Sequence, residues 1–204
     1  MLELFHQGGL FMYPILILFI LGLAISLERL FTLTNASINT KKLLTRVTKG
    51  LQEGGVQRAM DICTKTRGPV ASITLAGLLR IDEGIENVEK AISNAGTVEM
   101  AFLERGLVWL ATIVSIAPML GFTGTVSGMI RSFRDIAAAN DISPTIVASG
   151  ISEALLTTLF GLVVAIIIQI FHNFFVSQVD RLTIDMEESS VDLVDTLISL
   201  KQSK

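Results

Sequence analysis

Three long runs without a charged side chain constrain this chain more than any other feature. They cover residues 7–27, 106–130 and 154–178, and each is at least 21 residues long. An α-helix rises about 1.5 Å per residue, and the apolar core of a bilayer is about 30 Å thick. Each run is therefore long enough to cross a membrane, and the sequence predicts three transmembrane helices.

The composition excludes several classes of protein. Charged residues make up 17% of the chain, whereas soluble domains have about a quarter. A net charge of −3 provides no general attraction for nucleic acid. One cysteine and two distant histidines offer no internal disulfide and little for a metal site or a nucleophile–base pair. We expect no metal, cofactor, catalytic residue or nucleic-acid partner, and an enzyme with an intramembrane acid is disfavoured.

The distribution of basic residues predicts how the spans are oriented. Eleven of the 16 Lys and Arg residues lie between the first and second runs, and residues 1–9 have none. Basic segments near span ends stay in the cytoplasm, so we expect an outside N-terminus and a cytoplasmic C-terminus. A cleaved signal peptide is disfavoured, because signal peptides begin with basic residues.

These assignments divide the chain into four parts. We expect an outside N-terminus with the first transmembrane helix (1–34), a helical cytoplasmic domain (35–104), the second and third transmembrane helices joined by a short outside loop near 134–143 (105–178), and a cytoplasmic amphipathic C-terminal helix (179–204).

The segments outside the three runs have helical periodicity, which predicts an all-α fold with long second and third helices that extend into the cytoplasmic domain. From Asn87 the apolar pattern continues into the second run with Gly96 as its one weak point, so we expect no break there. After the third run, apolar residues follow a heptad pattern. That pattern predicts a helix packed either on its own cytoplasmic domain or against other copies of the chain.

Glu153 is the most informative single residue. Uncharged residues 142–152 precede it and uncharged residues 154–178 follow it, and a carboxylate within a span costs about 2.5 to 3.5 kcal/mol on insertion scales. Burial favours the neutral form of a carboxyl group, so an acid at this position is suited to take up and release a proton. Two interpretations without ion transport stay open: a position among the outer headgroups, or a static polar contact between helices. Arg131 and Arg134, the nearest basic residues, are expected to lie beyond the second span.

Hydroxyl-bearing and small residues surround the glutamate in sequence. Thr157 lies one helical turn after Glu153, next to Thr158, and the second run contains Thr125. Small residues allow close helix packing, and threonine hydroxyls can bond across helices. These residues therefore form either a packing surface or a narrow polar path. The packing candidates are Pro118, Gly121, Gly124, Gly128 and Gly161.

Two segments carry a resemblance to a known family. APMLGFTGTVSGMIRSF in the second run and GISEALLTTLFGLVVAI in the third resemble the signature segments of the MotA/TolQ/ExbB proton channel family. Three spans in about 200 residues are similar to the ExbB/TolQ branch, since MotA has four. The resemblance covers nearly the whole chain, and the two segments together are specific.

The resemblance implies a pentamer with a central pore made by the second and third helices, in the bacterial inner membrane. It also implies a single-span partner dimer of the ExbD or TolR type, which supplies a proton-carrying aspartate, and a TonB- or TolA-like client. The family's conserved glutamate matches Glu153, its threonines match Thr125 and Thr158, and its proline matches Pro118. The sequence departs from the family at Arg131, Arg134 and Asp135, where less charge is expected. The alternative is a structural membrane scaffold without ion conduction, and the choice between proton and sodium stays open.

Overall fold

A computed structural model of the chain describes residues 2–36, 40–139 and 144–202. Every regular element in these ranges is a helix, which confirms the all-α fold class. Seven α-helices and one 3₁₀ helix follow in order: α1 (Leu2–Gln7), α2 (Met12–Ala36), α3 (Thr40–Lys65), α4 (Pro69–Leu78), the 3₁₀ helix (Ile81–Glu83), α5 (Ile85–Leu103), α6 (Leu107–Ala139) and α7 (Pro144–Gln202).

Three helices, α2, α6 and α7, contain stretches long and apolar enough to cross a membrane, as the charge-free runs predicted. Large apolar side chains point outward from all three, among them Ile20, Phe122 and Ile166. A soluble protein rarely exposes such extended apolar surface, because its exposure to water is unfavourable. The chain is therefore a multi-pass membrane protein.

Two compact units divide the described residues. The first contains residues 1–28 and 106–174, and the second contains residues 29–105 and 175–204. The first unit holds the apolar parts of α2, α6 and α7. The second is built from α3, α4, α5 and the C-terminal part of α7.

The second helix differs from the expected unbroken one. α5 passes through Gly96 and ends at Leu103, and α6 begins at Leu107. Gly106 between them has φ +86°, a left-handed conformation that glycine adopts without steric cost. At its other end α6 continues to Ala139, so residues 134–139 of the expected loop are helical, while 140–143 lie outside the described residues.

The C-terminal part of α7 packs within the second unit of its own chain. The heptad residues are buried there, and a methyl group added to Gly77 of α4 would come within 3.3 Å of the Leu193 side chain. Of the two packing partners predicted for this helix, its own helical domain therefore accounts for the burial of its apolar stripe. The buried heptad residues are Val179, Leu182, Met186, Leu193 and Leu197.

Cys63 provides a direct test of packing in the second unit. Its residue surface is 2% exposed, and burial raises the pKa of the thiol from 9.0 to about 11. Only the thiolate reacts with thiol reagents, and at pH 8 it is about 100-fold rarer at a pKa of 11 than at 9.0. We expect the folded protein to react with a maleimide at least about 100-fold more slowly than the unfolded chain. Since Cys63 is the one cysteine, the readout is unambiguous, and equal rates in the two states would contradict the buried position.

Candidate functional site

The site is built on an unusually close, antiparallel approach of α6 and α7. A methyl group added to Gly161 would come within 2.6 Å of the Ala117 carbonyl oxygen, and one added to Gly121 within 2.9 Å of the Thr157 carbonyl oxygen. Further along, a methyl group on Gly128 would lie 3.1 Å from the Gly150 carbonyl oxygen. Backbone meets backbone along this contact, which only residues with small side chains permit.

The small residues of α6 lie on one stripe. Ala117, Gly121, Gly124 and Gly128 are buried and follow one another at spacings of four, three and four residues. Such spacings place residues on a single helix face. The next step of four residues reaches Ser132, which is 4% exposed and contacts Gly150 of α7, and Arg131 lies next to it at the edge of the packed face.

Two threonines of α7 occupy this contact in different ways. Thr158 donates a hydrogen bond from its hydroxyl to the Gly121 carbonyl oxygen across the helix pair, at 3.1 Å. Thr157 is 1% exposed and packs against Gly124, and its hydroxyl donates to the Ala154 and Glu153 carbonyl oxygens at 2.9 and 3.2 Å. One hydroxyl therefore joins the two helices, while the other is satisfied within α7.

Glu153 lies at the end of this contact and is paired with a cation. Its side chain is 16% exposed, and its Oε2 accepts a hydrogen bond from Nη1 of Arg131 at 3.1 Å. This pair was not predicted from the sequence, which placed Arg131 beyond the second span. α6 continues through Arg131 as a helix, and the guanidinium group lies beside the carboxylate.

The N-terminal segment covers the other carboxylate oxygen. Gly9 has φ +69° and lies in the turn between α1 and α2. A methyl group added to Gly9 would overlap Oε1 of Glu153. Glycine at this position therefore meets two requirements, a left-handed backbone and room for the carboxylate.

Thr125 and Pro118 are not brought to the carboxylate. The Thr125 side chain donates to the Phe122 carbonyl oxygen at 2.6 Å, and among the described residues no hydrogen bond joins it to Glu153 or Thr157. Pro118 lies inside α6, where its ring removes one backbone donor. The predicted set thus divides into an inter-helix group, which contains Glu153, Thr157, Thr158 and the four glycines, and two residues that lie apart from it.

A polar groove of about 390 Å³ runs along the same end of α6. Arg131 lies on its edge, and Asp135 lies one helical turn further on. Water that enters this groove can reach the half-exposed guanidinium group, which is 54% exposed. Its lining residues are Thr123, Val126, Ser127, Ile130, Arg131, Arg134 and Asp135.

Arg131 and Gly9 are the two site residues that sequence reasoning missed. The stripe of small residues on α6, extended to Ser132, was the signal that its neighbour Arg131 lies at the edge of the contact with α7. Nothing in the sequence separates Gly9 from Gly8, because the turn depends on how α1 approaches the end of α7. The arrangement combines a largely buried carboxylate, a half-exposed counter-ion and a tight polar contact between two helices.

Comparison with known proteins identifies the family. Residues 65–188, more than half of the chain, match the model of the MotA/TolQ/ExbB proton channel family. The match includes α5, α6 and the part of α7 that carries Glu153.

Individual relatives agree with the family match. A putative biopolymer transport protein ExbB homolog of Methanothermobacter thermautotrophicus is 34% identical over 88% of this chain and 64% of its own length. The biopolymer transport protein ExbB of Salmonella typhimurium is 44% identical over 38% of this chain and 32% of its own length. The Tol-Pal system protein TolQ of Pseudomonas aeruginosa is 39% identical over 50% of this chain and 44% of its own length. The chain therefore spans less than two thirds of the length of these relatives.

Proposed function

The chain belongs to the MotA/TolQ/ExbB proton channel family, in its ExbB/TolQ branch, and from this premise we propose that it is a subunit of an ion-driven membrane motor. In this proposal five copies form a ring in the bacterial inner membrane, with α6 and α7 of each copy around a central pore. The N-terminus lies outside, and the second unit with the C-terminus lies in the cytoplasm. A single-span dimer of the ExbD or TolR type stands in the pore, and a TonB- or TolA-like client uses the motion.

One observation carries the proposal: a largely buried carboxylate, Glu153, lies within a helix pair that is long and apolar enough to span a membrane. Acidic groups in such positions are expensive and usually mark ion pathways. The electrical part of a transmembrane gradient is about 2.3 kcal/mol per charge per 100 mV, which a charge-changing group can use. A partner is part of the proposal, because the charge-free runs 106–130 and 154–178 contain no second acid to receive the ion. We propose that Thr157 and Thr158 line the path at Glu153 and that Thr125 lines the pore.

A structural scaffold is the second candidate, and a specific observation favours it. Glu153 is paired with Arg131, and Thr158 bonds to backbone, so both groups also fit a static contact between helices. In that case the chain would hold partners together without moving ions.

Reconstitution tests the proposal. We expect the detergent-purified chain to run in native mass spectrometry as five copies of 22.1 kDa, about 110 kDa. Together with a single-span ExbD- or TolR-type protein from the same organism, it should carry current into vesicles under an imposed potential. Parallel pH-sensitive and sodium-sensitive dyes would identify the ion. A stable complex that passes no more ions than empty vesicles would contradict the motor and favour the scaffold.

A further inference from the structure

The Arg131–Glu153 pair is asymmetric in its exposure to water. The Glu153 side chain is 16% exposed and the Arg131 side chain is 54% exposed, although one hydrogen bond of 3.1 Å joins them. Ion pairs with an exposed partner are easily replaced by hydration, whereas a buried carboxylate without its counter-ion is costly. The arginine is therefore the member of the pair that can leave.

Arg131 is the group that neutralises the negative charge of the Glu153 carboxylate among the described residues around it. From α6 the facing charged group is Arg131, and from the N-terminal segment the facing group is the backbone at Gly9. On α7 itself, Thr157 donates to the backbone carbonyl of Glu153 and not to its carboxylate. Among the described residues, no other ion pair includes Glu153.

A second position for the guanidinium group lies in the adjoining groove. Asp135 is four residues after Arg131 on α6, and both line the same polar groove. Side chains four residues apart on a helix are close enough to pair. An arginine that leaves Glu153 therefore has a carboxylate within reach on its own helix, in contact with water.

We infer that Arg131 is a latch with two positions: paired with the charged Glu153 it holds the site closed, and paired with Asp135 it leaves the protonated Glu153 open to hand on its proton. This inference rests on the proposed function. When a proton binds the Glu153 carboxylate, the negative charge that holds the guanidinium group disappears, and Arg131, which keeps its own proton, turns to Asp135. When the proton leaves Glu153, the restored carboxylate draws Arg131 back, and the site closes.

The test uses the complete complex in vesicles and measures the ion leak in the absence of a client. Arg131→Gln should raise the leak about two- to fivefold, since an ion pair with a half-exposed member contributes at most about 1 kcal/mol. Arg131→Lys, which keeps the charge, should restore most of the closure. Arg181→Gln removes the same charge from an exposed position on α7 in the second unit, and should leave the leak near that of the parent protein.

A double variant distinguishes a gating role of Arg131 from a purely structural role. In Arg131→Gln/Glu153→Gln the leak should fall to the level of Glu153→Gln alone, because an open gate passes nothing without the carboxylate. A leak that persists in the double variant, or an Arg131→Gln leak equal to that of Arg181→Gln, would overturn the latch. If Glu153→Gln alone retains full gradient-driven transport, the proposed function fails instead, so the two failures are distinguishable.

Asp135→Asn keeps the inference testable if Arg131→Gln fails to assemble. Asp135 is exposed, so its replacement should leave assembly intact. Without the second position, the latch should open less often, and gradient-driven transport should fall severalfold while the resting leak stays low. Unchanged transport in Asp135→Asn would remove Asp135 from the inference and overturn the two-position latch.

Discussion

Replacement of Glu153 by glutamine is expected to reduce gradient-driven transport to the level of empty vesicles. Glutamine has nearly the same shape and can still accept a hydrogen bond from Arg131, but it cannot ionise, so the charge change on which transport depends is lost. The half-exposed guanidinium group stays hydrated, so the helix pair should remain folded. Ion flux into vesicles that contain the complete complex measures the effect.

Glu188→Gln is the matched control for this variant. Glu188 lies on the same helix, α7, but is exposed in the second unit. The Glu188→Gln substitution should leave both the ion flux and the assembly of the complex unchanged. Native mass spectrometry of Glu153→Gln should still report the assembled ring. Full transport by Glu153→Gln would exclude Glu153 as the ion-carrying group, and loss of assembly would favour its interpretation as a packing contact.

Replacement of Gly161 by alanine is expected to destabilise the helix pair by about 1 to 3 kcal/mol, and replacement by leucine by more. An added methyl group meets the Ala117 carbonyl oxygen at 2.6 Å and the Gly121 Cα atom at 3.2 Å. Both atoms belong to the backbone and cannot turn aside as a side chain could. The helices would have to separate, which would also stretch the bond from Thr158 to the Gly121 carbonyl oxygen. Thermal denaturation in detergent measures the loss.

Gly96→Ala provides the comparison for Gly161→Ala. Gly96 lies in the middle of α5, and an added methyl group would meet only the end of the Met186 side chain at 3.8 Å, an ordinary contact. Alanine is a better helix former than glycine, so this variant should stabilise the protein by about 0.5 to 1 kcal/mol. Equal effects of the two substitutions would mean that the close approach at Gly161 does not limit stability.

The sequence predicted the helices better than the contacts between them. Three charge-free runs were sufficient to identify the apolar helices, because the length needed to cross a bilayer leaves few alternatives. Glycine and proline also lie at boundaries in the second unit, as their local preferences predict. α3 bends at Gly55, which has φ +71°, and α4 begins at Pro69 after Gly68. Such residues act locally, so their effect can be predicted from their neighbours alone.

The break before α6 was missed for a related reason. The sequence does not distinguish Gly96 from Gly106, but Gly96 lies within α5 and Gly106 lies in the turn before α6. Glycine permits a left-handed conformation without requiring it. Which glycine adopts the left-handed conformation depends on the directions of the flanking helices, and tertiary packing sets those directions.

The Arg131–Glu153 pair was the least predictable part of the site. The two residues are 22 positions apart and are brought together by the register of two long helices. That register depends on which small residues meet, and a shift by one turn would move Arg131 by about 5.4 Å. Glu153 itself could be identified because a carboxylate beside a long apolar run is rare. Its partner became visible only with the contact of Gly121 and Gly128 with α7.

The direct backbone contact of α6 with α7 has a mechanical consequence. α6 and α7 meet through glycines and share an inter-helix hydrogen bond, so no side chains between them can deform. The two helices therefore act as one rigid body. In the proposed ring, any widening or twisting would then have to take place at the interfaces between neighbouring chains. Chemical cross-links across those interfaces should therefore stop the ring from changing shape, whereas a cross-link between α6 and α7 of one chain should be tolerated.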